Sequence, residues 1–83
     1  MNRVDQILAL AREYGRAVGV EMTTVSWRVF DDGKKLAALE AGADIQTRRA
    51  DRAVAWLAEN WPPGAVWPSE IARPSAASAE VTP

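Results

Sequence analysis

Six basic side chains, Arg28, Lys34, Lys35, Arg48, Arg49 and Arg52, fall close together along the chain, interleaved with Asp31, Asp32, Glu40, Asp44 and Asp51. Ammonium and guanidinium groups bind phosphate and carboxylate oxygens through charge-assisted hydrogen bonds, so an anion is the chemistry this stretch suggests. A formal net charge of -1 excludes a basic coat over the whole chain. Any polyanion must therefore meet a local patch that folding assembles from separated residues. Asp31-Asp32-Gly33 hints at a cation loop, but a calcium loop starting at Asp32 needs a glutamate at its twelfth position, where this chain has Ala43. The motif is turn and cap chemistry instead. Ser26, Tyr14 and Glu59 are the side chains one would nominate for catalysis. With no histidine and no cysteine in the sequence, none has an obvious base beside it. The expectation is a chain with no catalysis, metal or cofactor of its own.

The elements that must position these residues are helical. Asn2 is a good N-cap with Asp5 three residues on, and Val4, Ile7, Leu8, Ala11, Tyr14 and Val18 follow at three- and four-residue spacing before Gly19. Thr23 or Thr24 caps a second helix through Phe30; its β-branched content also suits a strand, but the cap and the flanking helical segments favour helix. After the Asp-Asp-Gly turn, with either aspartate as cap, a third helix runs from Lys34 to about Ala41, with Leu36 and Leu39 inward and Gly42 ending it. Ile45 anchors the next link. Thr47 caps a fourth helix, Arg48 to about Asn60, with Ala50, Ala53, Val54, Leu57 and Trp61 on its apolar face. Arg48 and Arg49 then occupy a first turn where cations are unfavourable against the helix dipole by a few tenths to about 1 kcal/mol, which suggests an external anion.

Pro62-Pro63-Gly64 stops the fourth helix, since proline lacks the amide donor and clashes with the preceding turn. Residues 62–73 form a Pro/Trp-rich strap in which Trp61, Val66, Trp67 and Ile71 fold back on the helices or meet a second subunit. Residues 74–83, rich in Ser, Ala and Pro, have little to bury and are expected to be disordered. Residues 1–61 are the folded domain. Of the four tryptophans, Trp27 and Trp56 are expected in the core. Charges interrupt every apolar run of MNRVDQILALAREYG, so it is neither a secretory core region nor a membrane span, and a cytoplasmic protein is expected.

Two short helices joined by a tight turn and held by flanking helices are what a helix-turn-helix requires. The segment TTVSWRVFDDGKKLAALEAGADIQTRRADRAVAWL resembles the Cro/repressor-type (XRE-like) helix-turn-helix family of short bacterial or phage regulators. KKLAALEAG is similar to that family's recognition helix, with two apolar residues three apart and a Glu-X-Gly end, and IQTRRADRAVAWL to the helix that follows. The chain departs from the pattern in lacking the early Gln, in replacing Ala-X-X-X-Gly by Ser26-Trp27-Arg28-Val29-Phe30, and in its Asp-Asp-Gly turn. The resemblance implies an all-α, four-helix, lambda-repressor-like bundle with a C-terminal extension that binds double-stranded DNA, and a homodimer is expected because one short recognition helix reads only a few base pairs. It places Lys34, Lys35 and Ala38 on the groove, with Gly33 allowing close backbone approach. Thr23, Thr24, Arg28, Thr47, Arg48 and Arg49 become phosphate anchors. The rival expectation, from the slightly acidic balance and the strap, is a helical adaptor or inhibitor that binds a protein.

Overall fold

Asn2 starts the first helix as its residue type dictates: its side-chain oxygen accepts the Asp5 amide at 2.8 Å, filling one of the donors a helix start leaves unpaired. Replacing Asn2 by alanine is expected to lower unfolding free energy by about 1 kcal/mol in a denaturant titration; an unchanged midpoint would show the cap to be idle. The computed structural model describes residues 2–74. Among them are four helices and no strand: α1 Arg3–Val18, α2 Met22–Phe30, α3 Lys35–Glu40 and α4 Thr47–Glu59. The all-α expectation holds. Of the tail expected over 74–83, all but Pro74 lies outside the described residues. No described helix is long and apolar enough to cross a membrane.

The α1 stripe buries Ile7, Leu8, Leu10, Ala11 and Tyr14, and Gly19 ends the helix at φ 83°, a left-handed conformation that glycine adopts without strain. Val18, at the end of the stripe, stays 40% exposed. Val25 and Phe30 from α2, Leu36 and Leu39 from α3, and Ala50, Ala53, Val54 and Leu57 from α4 complete one core. Ile45 and Trp56 pack against it half-buried, and Trp56 meets Tyr14 edge-on with ring centroids 5.6 Å apart.

Three cap expectations are corrected. Helix α2 begins at Met22 because that side chain packs on the core, which draws Thr23 and Thr24 into the first turn and leaves Glu21 as a cap without a side-chain bond. Helix α4 begins at Thr47 itself, with Gln46 as N-cap and again no side-chain bond. Helix α3 is only six residues: Lys34 is its N-cap and Ala41 its C-cap, both outside the helix proper. Between α2 and α3 the two aspartates divide the labour. Asp31 takes a left-handed conformation at φ 58°, tolerable for aspartate, and closes α2, whereas Asp32 accepts the Lys34 amide at 2.9 Å.

The strap folds back on the domain. Ile71 is 2% exposed, and Trp61 and Trp67 pack edge to face with centroids 4.9 Å apart. Each of their indole N–H groups donates to a carbonyl four residues on, Ala65 at 3.0 Å and Ile71 at 2.8 Å. Arg73 donates to the Ala58 carbonyl at 3.0 Å and lies over the Trp67 ring. Val66 does not join them: it is 77% exposed, because the strap's turn directs it to solvent while its neighbours reach the helices.

Candidate nucleic-acid interface

Helices α2 and α3 and the four residues between them form a unit locked by one buried hydroxyl. Ser26, with no exposed surface, donates its hydroxyl to the Asp32 carbonyl and accepts the Leu36 amide at 3.1 Å. It thereby gives the buried Leu36 amide its acceptor and the Asp32 carbonyl, which also takes the Lys35 amide at 3.4 Å, a second donor. Sequence reasoning missed this role. The signal for it was a lone serine beside Val25, on the inward face of α2, four residues before Phe30.

With Leu36 and Leu39 buried, the opposite side of α3 is open: Lys34, Ala37 and Ala38 are exposed and Lys35 is half-buried. Neither lysine makes an ion pair or a side-chain hydrogen bond among the described residues. Thr23 on α2 is exposed and Thr24 half-buried. Arg28 is exposed but donates to the Tyr14 hydroxyl at 3.0 Å, which holds its guanidinium towards α1.

Trp27 is not core. It is 56% exposed, because Val25, Ser26 and Phe30 take the inward phase of α2 and leave Trp27 on the outer face with Thr23. Its indole lies against Gly33, where an added Cβ would come within 2.5 Å of the indole nitrogen. A side chain at position 33 would have to displace this ring, which already occupies its place. Thr23, Trp27, Asp32, Gly33, Lys34 and Ala37 line an open groove between α2 and the start of α3.

The first turn of α4 presents exposed Thr47, Arg48 and Arg49, with no acidic residue in it. Arg49 has an internal partner, its guanidinium lying 5.5 Å from the Phe30 ring centroid at the end of α2. Arg48 and Arg52, one turn apart and both exposed, have none among the described residues.

The ion pairs divide the charges unevenly. Among the described residues, every cation paired to a carboxylate is on α1: Arg3 with Asp51 at 2.7 Å, Arg12 with Glu40 at 2.9 Å, and Arg16 with Glu13. The Arg16 hydrogen bond holds the Glu13 carboxyl below its ordinary value. Such exposed pairs add little stability. Their effect is on the local field: α1 arginines neutralise the acid at the end of α3 and the acid inside the Arg48–Arg52 turn. Lys34, Lys35, Arg48 and Arg52 are left unopposed by those two carboxylates, while Asp31, Asp32 and Asp44 keep some negative charge in the links. No protein-family model, curated protein or solved structure matches the chain.

Proposed function

We propose that the chain is a sequence-specific DNA-binding transcriptional regulator of the cytoplasm, reading the major groove of duplex DNA with the helix at about 33–41, and without catalysis of its own. The observation that supports this reading is the segregation of charge, in which α1 arginines pair with Glu40 of α3 and Asp51 of α4 while Lys34, Lys35, Arg48 and Arg52 make no ion pair among the described residues. Lys34 and Lys35 at the start of α3 are the base-edge candidates, since an ammonium donates to guanine O6 and N7, and the same group equally meets a phosphate oxygen. Thr23, Thr47, Arg48 and Arg49 suit phosphates, which fix orientation without reading sequence. Thr24 and Arg28 are weaker anchors, one half-buried and the other held by Tyr14.

A helix of six residues spans few base pairs, so a homodimer on paired half-sites about one duplex turn apart completes the proposal. Its surface falls to the outer side of α4 or to Val66, because Trp61, Trp67 and Ile71 face the domain. The same inward packing weakens the adaptor reading, which rests on those indoles.

The test is selection of duplexes from a random pool, followed by fluorescence anisotropy on a selected and a scrambled duplex at low and physiological salt. With the six basic side chains Arg28, Lys34, Lys35, Arg48, Arg49 and Arg52 each neutralising a phosphate, affinity is expected to fall about a thousandfold between the two salts, the threonine contacts leaving the slope unchanged. Equal affinity for both duplexes removes sequence specificity from the proposal, and absence of binding at low salt removes DNA altogether.

A further inference from the structure

Trp27 offers two features to solvent: more than half of its surface, and an indole N–H that makes no hydrogen bond among the described residues. Trp61 and Trp67 each donate their N–H to a backbone carbonyl, as packed indoles usually do; Trp27 makes no such bond among the described residues. The ring is nevertheless seated, with its nitrogen and the two carbons beside it packed against Gly33. Side-chain freedom is thus already reduced before any partner arrives, and that preorganisation lowers the entropy cost of binding.

The surroundings decide the partner. Beside the ring stand Thr23, one helical turn earlier, and Lys34, with Ala37 as the other apolar wall. Asp32 also lines the groove, its Oδ1 accepting the Lys34 amide, and the Lys34 ammonium offsets its charge there. One indole and one methyl group are too little apolar surface to anchor a protein helix, which needs several anchors along one face. A strand of nucleic acid matches better: its deoxyribose offers an apolar edge to the ring and its phosphate oxygens accept from an indole N–H, a hydroxyl and an ammonium.

We infer that Trp27 contacts the sugar–phosphate strand of duplex DNA bordering the groove entered by α3, its ring on a deoxyribose and its Nε1–H donating to a phosphate oxygen. This rests on the DNA-binding function proposed above and adds to it a contact that carries no charge. An uncharged contact releases no counterions, so removing it weakens binding without changing the salt slope, and a backbone contact weakens every sequence alike.

The test compares wild type with Trp27→Ala, Trp27→Phe and Lys34→Ala by anisotropy on a selected and a scrambled duplex over a salt series, with circular dichroism as the check on folding. Trp27→Ala is expected to bind both duplexes about tenfold more weakly at an unchanged salt slope. Trp27→Phe, which keeps a ring and loses the donor and remains usable if the alanine variant unfolds, should fall between. Lys34→Ala should lower the slope by about 1. Wild-type affinity in folded Trp27 variants overturns the inference while leaving the DNA-binding function standing. A loss confined to the selected duplex overturns it in favour of a base contact. Conversion of a dimer to a monomer by Trp27→Ala, seen by sedimentation equilibrium without DNA, overturns it in favour of a second copy on the ring. Failure of wild type to bind any duplex at low salt overturns both proposals together.

Discussion

Replacing Lys34 and Lys35 together by alanine is expected to abolish preference for the selected duplex, with affinity for it falling by about a hundredfold or more at moderate salt. A well-formed base contact contributes on the order of 1–3 kcal/mol of discrimination, and removal of each phosphate contact lowers the salt slope by about 0.9. Both lysines sit where α3 opens, neither has a partner among the described residues, and Leu36 and Leu39 hold the helix independently of them. Helical content should therefore be unchanged, since the Lys34 amide that binds Asp32 survives the substitution. Arg48→Ala with Arg52→Ala provides the contrast: weaker binding to all duplexes, with preference retained. If the double lysine variant keeps its preference for the selected duplex, α3 is not the reading element.

Ser26→Ala is expected to lower stability by about 2 kcal/mol, corresponding to a fall in Tm of roughly 10 °C for a domain of this size. The substitution removes almost no volume, so a cavity is not the cause. The buried Leu36 amide loses its acceptor, and the part-buried Asp32 carbonyl loses the nearer of its two donors, keeping the Lys35 amide at 3.4 Å. Because the hydroxyl joins α2 to the end of the link and to the first turn of α3, the folded variant should also hold the two helices less firmly. Duplex affinity is expected to fall even at temperatures well below the transition. A thermal scan indistinguishable from wild type would show that the hydroxyl does not carry the link.

Much of the fold is legible in the sequence wherever the cause is local. Asn2 and Gly19 bracket α1 through bonds and dihedrals that depend on a few neighbouring residues, and the three-residue spacing of Leu36 and Leu39 suffices to orient α3. The differences have tertiary causes. Size alone points Trp27 to the core, although its phase relative to Val25 and Phe30 puts it outside. Residue type alone points to Thr23, Thr24 and Thr47 as caps, but packing of Met22 decides where α2 begins. Most residues of the candidate site can be named one by one, yet the property that unites them is not visible in a linear reading. Arg12 reaches Glu40 from 28 positions away and Arg3 reaches Asp51 from 48, and those pairings are what separate the charges.

The paired indoles of the strap have an optical consequence. Trp61 and Trp67 stand 4.9 Å apart with their planes at 68°, and chromophores that near and that far from parallel couple their electronic transitions. Coupled transitions split into two ellipticity bands of opposite sign, and the doublet exists only while the rings remain docked. Lifting the strap would erase it and leave the helical bands in place, so the chain carries an intrinsic gauge of strap attachment that needs no label.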